Sequence, residues 1–289
     1  MKTFLECIPC FLRQTLEAAR MVGDDPQLQR DVMRAVLRMA AEMDLERTPP
    51  EMARRIHAVI RERSGVEDPY RDIKQRFNRL VLDQLPALRR RLAAAEDPFD
   101  AALRLALAGN IIDFGTPGAV TAADLAATVE RSMTAPIHGL DSRRLAALVA
   151  RAGRVLYVGD NAGEIVFDRL LIEQIGCHKV TFVVRAGPII NDVTAEDARE
   201  VGLADRVAVI DTGSRAPGAL LAEAGADFRR ALDAADLVLS KGQGNYETLS
   251  GLAQPVVFLL RAKCPVISAH IGVAQDTMVV EGRHLPAAD

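Results

Sequence analysis

The chain reads as an α/β protein, a mainly parallel sheet with helices on both faces, preceded by an all-helical amino-terminal domain. Three observations predict this. Over residues 3–152 apolar residues recur at intervals of three and four, as in FLRQTLEAARMV and PALRRRLAAAEDPFDAALRLALAG, with Arg and Glu on the opposite faces, which is the pattern of amphipathic helices. From residue 154 onward short β-branched runs alternate with helical stretches, the order that builds parallel strands joined by crossovers. Those runs are almost continuously apolar, so each strand needs cover on both sides.

The elements follow in order. Helix stops or caps stand at Gly23-Asp24, Thr48-Pro49-Pro50, Glu67-Asp68-Pro69 and Gly115-Thr116-Pro117-Gly118, dividing the first half into a bundle of about six to eight helices with no convincing strand. Beyond it RVLYVGD, KVTFVVR, RVAVID, ADLVLSKG and PVVFLLRAKCPVIS read as strand runs, with GEIVFDRLLIEQIG and AEDAREVGL as helices between them. The boundary is placed at 152/153, giving a helical domain over 1–152 and an α/β domain over 153–289.

At 289 residues the chain has room for a large core. Lys and Arg total 36 against 39 Asp and Glu, and a net charge of −3 offers no field for nucleic acid or an anionic membrane. No apolar run reaches the roughly 18 residues of a membrane span, and the start MKTFLECIPC is not a secretory signal, so a cytoplasmic protein is expected. Four cysteines, Cys7, Cys10, Cys177 and Cys264, are too sparse for a disulfide framework, and reduced thiols are expected. An oligomer is left open.

In open parallel sheets ligands bind beyond the carboxyl ends of the strands. Three polar turns stand there: Gly159-Asp160-Asn161-Ala162-Gly163-Glu164, the stretch from Arg185 to Thr194, and Ser240-Lys241-Gly242-Gln243-Gly244-Asn245-Tyr246-Glu247. Asp160, Asn161 and Asp192 offer hard oxygen donors suited to Mg²⁺ or Mn²⁺, an ion that would polarise a phosphoryl group. The competing reading is that Asp160 and Asp192 only cap the helices that follow. Lys241, with the backbone N–H groups near Gly242 and Gly244, is a candidate phosphate cradle, although a glycine turn needed for backbone shape alone explains the same residues. Asn245 caps a helix or binds substrate. Glu247 is a first-turn dipole partner or a contact to the polar part of a ligand.

Neither GxGxxG nor GxxxxGK[ST] is present, which removes support for dinucleotide or nucleoside-triphosphate binding. The five histidines form no HExxH pair, and Ser214 and Ser240 sit on no nucleophile elbow. Cys7 and Cys10, three apart, and Cys264 are candidates for a second metal or a redox function, set against ordinary packing of small apolar side chains.

Taken together, the CxxC near the start, Gly109-Asn110-Ile111-Ile112-Asp113-Phe114-Gly115, the GDNAGE turn, Arg185-Ala186-Gly187-Pro188, Asn191-Asp192-Val193-Thr194, Lys241-Gly242-Gln243-Gly244-Asn245-Tyr246-Glu247 and Lys263-Cys264 resemble the domain of unknown function 89 family of metal-dependent damage-control phosphatases. The similarity runs from residue 4 to about 280, and its ordered set of motifs is more specific than any one of them. It implies a Rossmann-like α/β part with the active site between it and a helical part, metal ligation by Asp160, Asn161 and Asp192, and phosphate binding by Lys241. It further implies that Asn110 and Asp113 of the helical part serve the site, and Glu164, Arg185, Gly242, Asn245 and Glu247 are assigned to substrate beside them. The implied activity is hydrolysis of small phosphomonoesters, sugar phosphates or damaged phosphometabolites, with Mg²⁺, Mn²⁺, Co²⁺ or Ni²⁺. Eukaryotic branches carry a KGD-type turn where this chain has Lys241-Gly242-Gln243, and they lack the cysteine pair, which points to the compact microbial branch. Two alternatives stand beside this reading: a methyltransferase using S-adenosylmethionine, because an acidic strand-end turn also suits a ribose, and a non-enzymatic binding protein, which would need a large exposed apolar or charged surface.

Overall fold

The structure, a computed structural model, describes residues 1–109 and 121–287. Seven helices precede residue 152 among the described residues: α1 (Cys7–Val22), α2 (Pro26–Ala41), α3 (Pro49–Ser64), α4 (Arg71–Ala94), α5 (Pro98–Gly109), α6 (Ala122–Thr134) and α7 (Ser142–Arg151). Their ends follow the local chemistry. Asp25 accepts from the Gln27 N–H ahead of Pro26, and Thr48 and Glu51 form a reciprocal capping box ahead of Pro49 and Pro50. Gly65 closes α3 at φ 70°, a left-handed cap that a side chain would resist.

Seven strands form one sheet in the order β1-β7-β6-β5-β2-β3-β4. They are β1 (Ile137–Gly139), β2 (Val155–Val158), β3 (Val180–Val184), β4 (Ala208–Asp211), β5 (Leu237–Lys241), β6 (Val256–Arg261) and β7 (Met278–Arg283). Every pairing is parallel except β6 with β7. Three local expectations are corrected. Residues 137–139, in the stretch read as strand-free, pair with β7 at the sheet edge, and residues 278–283 form a strand that was not foreseen. The end of the PVVFLLRAKCPVIS run is helical, α12 (Pro265–Ile271), because Pro265 occupies its first position and the Cys264 sulfur accepts from the Ile267 N–H.

Both faces of the sheet are covered, as the unbroken apolar strands require. Along β2, Val155 and Tyr157 join a core with α4, α5 and α8 (Glu164–Ile175), whereas Leu156 and Val158 join one with α10 (Ala226–Ala234), α11 (Gly242–Leu249) and α12. Helix α8 is buried nearly all round, since it lies between the sheet and α4 and α5. Helices α1 to α3 close a separate core around Phe11, Val36, Met52 and Ile56. Crossovers run from β2 through β3 to β4 on one side, whereas β5 and β6 lie on the other, so the strand order reverses between β2 and β5. That reversal opens a crevice at the carboxyl ends of the two strands. No helix among the described residues is long and apolar enough to cross a membrane.

Candidate active site

The turn after β2 enters this crevice, and its shape is set by close packing. A side chain at Gly159 would collide with Phe182, its Cβ standing 2.5 Å from that ring. Gly163 takes φ 73° and gives its N–H to Asn78 of α4 at 2.7 Å. The turn is zipped to the loop after β3: Val193 N–H donates to the Asp160 carbonyl at 2.8 Å and Ala162 N–H to the Asn191 carbonyl at 2.9 Å. Asn161 and Asp192 consequently face each other across an isolated antiparallel bridge. The two acidic turns therefore converge through backbone hydrogen bonds, before any side chain is considered.

Arg185 lies between the two aspartates. Its Nε donates to Asp192 Oδ2 at 2.7 Å, and its Nη2 lies 4.0 Å from Asp160 Oδ1 and donates to Asn245 Oδ1 at 3.1 Å. Its Nη1 is buried and has no hydrogen-bond partner among the described residues, a donor whose desolvation an acceptor would offset. Asn245 ties the ends of β2 and β5 together, donating to the carbonyls of Gly159 at 3.0 Å and Lys241 at 2.7 Å. Gly242 at φ 75° is the position where the backbone must stay bare: an added Cβ would stand 1.9 Å from Asp160 Oδ2.

Lys241 is fully buried, and its three donors are all used. They reach Glu164 Oε1 at 2.6 Å, Asp168 Oδ1 at 2.8 Å and the Ala106 carbonyl at 2.6 Å. Glu164 in turn accepts from Asn161 Nδ2 at 2.9 Å, and the same amide nitrogen donates to Asp160 Oδ2 at 2.6 Å. Asn161 Oδ1 is turned the other way, to Asn191 Nδ2 at 2.8 Å.

Four buried carboxyl groups, Asp160, Glu164, Asp168 and Asp192, thus face two buried cations, Arg185 and Lys241, among the described residues. Burial first, then the charges of Glu164 and Asp192, push the Asp160 carboxyl up to about 8, with Arg185 and Lys263 opposing. Burial raises Asp192 to about 6 against the pull of Arg185, and Asp168 to about 6 against that of Lys241. For Lys241 burial works against the charge, but Asp168 and Glu164 outweigh it and hold the ammonium above the ordinary lysine value.

A family model described as the damage-control phosphatase ARMT1-like domain matches residues 3–279 of this chain. The chain belongs to the damage-control phosphatase ARMT1-like family. It is 36% identical to a damage-control phosphatase of Archaeoglobus fulgidus over 97% of this chain and 99% of the relative. It is 33% identical to one of Pyrococcus horikoshii over 96% and 97% of the two chains. A crystal structure of a domain of unknown function 89 protein from Pyrococcus horikoshii superposes with a TM-score of 0.88 at 31% identity, covering 97% of this chain and 99% of that one. Family membership makes the chain an enzyme of the phosphatase class and gives the methyltransferase and pure binding readings no support.

Within this family member, Asp160, Asn161, Glu164, Arg185, Asp192, Lys241, Gly242 and Asn245 form one continuous cluster at the crevice. Asn110 and Asp113 lie outside the described residues; Gly109, just before them, abuts Glu164, whose Cγ would be 2.8 Å from an added Cβ. Glu247 lies instead in a neighbouring cavity of about 210 Å³ whose walls include Cys7, Cys10, Cys264, Gln243 and Ile190. Burial raises all three thiols, and among the described residues no group of three His, Cys, Asp or Glu is gathered to hold a metal. A larger hollow of about 520 Å³ lies at the opposite, amino-terminal ends of β2 and β3 and contains none of these residues.

Several residues that shape the site were not foreseen. Asp168 gave only a faint signal, a second acid four residues after Glu164 in a helix that is otherwise mostly apolar. Asn78 and Lys74 of α4 gave none: Asn78 Nδ2 donates to Asp197 Oδ1 at 3.0 Å and Glu200 Oε2 at 2.8 Å, and Lys74 Nζ pairs with Asp197 at 3.2 Å. Asp197 forms a capping box with Thr194 and also anchors α4, and neither duty was foreseen.

Proposed function

We propose that the chain hydrolyses small phosphomonoesters, sugar phosphates or damaged phosphometabolites, with a divalent cation (Mg²⁺, Mn²⁺, Co²⁺ or Ni²⁺) held by Asp160, Asn161 and Asp192. The observation that carries this reading is the charge imbalance at the crevice, among the described residues four buried carboxyl groups against two buried cations, which a dication would balance. The donors also fit in kind, being hard carboxylate oxygens beside an amide. The amide oxygen that Asn161 would offer such a cation is Oδ1, which here accepts from Asn191 Nδ2. When bound, such a cation supplies Lewis-acid polarisation of the phosphoryl group.

The chain's own residues divide the remaining work. Arg185 directs its unpartnered Nη1 to a phosphoryl oxygen while its other nitrogens hold Asp192 and Asn245 in place. Lys241 offsets negative charge through Glu164 and Asp168, and it would meet the phosphoryl group only by releasing one of its three present acceptors. Gly242 lets the β5 turn lie against Asp160. Asn110 and Asp113 complete the substrate side of the proposal, and Glu247, in the neighbouring cavity, would contact only a substrate that extends into it. A small metabolite as the partner, with neither nucleic acid nor membrane, and a cytoplasmic setting belong to the same proposal, supported by the net charge of −3 and four free cysteines.

Asp160→Asn tests it. The asparagine keeps shape but loses the principal carboxylate, so phosphate release stimulated by Mn²⁺ or Mg²⁺ is expected to fall on the order of a hundredfold or more. Chelator should reduce the unmodified enzyme to a similar level. Full activity in the variant, or activity indifferent to chelator and cation, would remove the basis for the reading.

A further inference from the structure

We propose that Asp168 is a positioning residue for the phosphatase reaction: by sharing the Lys241 ammonium with Glu164, it fixes Glu164 against the Asp160–Asn161 turn. The inference rests on the functional reading above. Asp168 is fully buried on α8, one turn after Glu164, so both carboxylates project from one helix face towards the end of β5. Its Oδ1 accepts from the Tyr157 hydroxyl at 2.7 Å and from Lys241 Nζ at 2.8 Å. Lys241 Nζ reaches Glu164 Oε1 at 2.6 Å, Glu164 Oε2 accepts from Asn161 Nδ2 at 2.9 Å, and that nitrogen also meets Asp160 Oδ2 at 2.6 Å. A continuous line of polar contacts therefore joins the core tyrosine to the candidate ligand turn.

The placement is costly unless it serves something beyond packing. Two carboxylates and an ammonium are buried together, a grouping that apolar side chains of the same volume often match or exceed in stability. Asp168 Oδ2 is itself buried without a hydrogen-bond partner among the described residues. What the arrangement achieves is geometric. With Asp168 and the Ala106 carbonyl each holding one Lys241 donor, the ammonium cannot follow Glu164 or swing towards the crevice, and Glu164 is held at a fixed point. Without the Asp168 charge, Lys241 is drawn wholly to Glu164, and the Glu164 to Asn161 contact loosens. Substrate would still bind through Arg185, so the damage is expected in turnover rather than in binding.

The test measures kcat and KM for para-nitrophenyl phosphate with Mn²⁺ in the unmodified enzyme, Asp168→Asn, Lys241→Met, and the double variant. Asp168→Asn preserves the shape and an acceptor for Tyr157. Its kcat is expected to fall by roughly tenfold to a hundredfold, as small misplacements at reacting centres do, with KM nearly unchanged. The double variant should be no worse than Lys241→Met alone, because Asp168 acts through that lysine. Unaltered kcat in Asp168→Asn, or losses that multiply in the double variant, would overturn the proposal. Should Asp168→Asn not fold, Tyr157→Phe decides: a kcat reduced several-fold at constant KM supports positioning, and an unchanged kcat refutes it. An inactive unmodified enzyme would defeat the phosphatase reading and this inference together, whereas an active one with unaffected variants defeats the inference alone.

Discussion

Burial lifts the Glu247 carboxyl to about 7, although the Gln243 amide donates to it at 3.3 Å and pulls the other way. A carboxyl whose folded pKa stands above its ordinary 4.5 binds its proton more tightly when folded. Its contribution to stability is therefore fully present below about 4.5, declines as pH rises, and is lost above about 7. Glu247→Gln removes the ionisable group and keeps the shape, so it should unfold at a higher temperature than the unmodified protein at pH above about 7, and the difference should close towards the acid end. Thermal denaturation of both proteins across that range checks it; a constant difference would mean that Glu247 does not titrate in the cavity. Legibility at this scale tracked chain separation. Asp160, Asn161 and Asp192 announce themselves because each sits in a polar turn directly after an apolar strand run. Two partners of Lys241, by contrast, Ala106 of α5 and Asp168 of α8, lie far off in sequence and outside any polar turn.

At the scale of elements, α4 acts as a splint across the two acidic turns. Asn78 alone accepts from Gly163 N–H at the start of α8 and donates to Asp197 and Glu200 of α9 (Ala195–Glu200), joining three helices through one amide. Asn78→Ala would orphan the Gly163 donor and two carboxylate contacts in a buried setting, which costs about 1–3 kcal/mol. Urea denaturation should show that loss, and metal-stimulated phosphate release should drop as the Asp160 turn loosens; an unchanged urea midpoint would show that water replaces the amide. The helices were readable from their recurrence at three and four, and the central strands from short, unbroken β-branched runs between helical stretches. The edges were not. β1 is three residues long and carries His138, so it lacks an apolar run, and β7 is antiparallel, outside the repeating crossover order that identified the other strands. The Pro265 segment looks like a strand by composition, yet proline at a first helical position with a cap before it decides the outcome.

For the whole molecule, the change of pattern at residue 152 does not coincide with a break in the core. Phe77 and Val81 of α4, Leu103 and Leu107 of α5, and Phe167 and Leu171 of α8 belong to a single buried cluster that reaches the sheet. β1, contributed from the helical side, is hydrogen-bonded into that sheet. A fragment starting at residue 153 would thus lose an edge strand and bare the outer side of α8, where each large apolar side chain returned to water costs about 1.5–3 kcal/mol. Several such losses exceed the whole stability of an ordinary domain, about 5–15 kcal/mol. The fragment 153–289 is therefore expected to show no cooperative thermal transition by circular dichroism. Helices α1 to α3 have their own core, so a chain lacking them but retaining α4 to α7 should keep a cooperative transition, although it would lose one wall of the cysteine cavity. If 153–289 folded alone with a sharp transition, the shared core would be a contact between independent units, and the change of pattern at 152 would mark a true domain boundary.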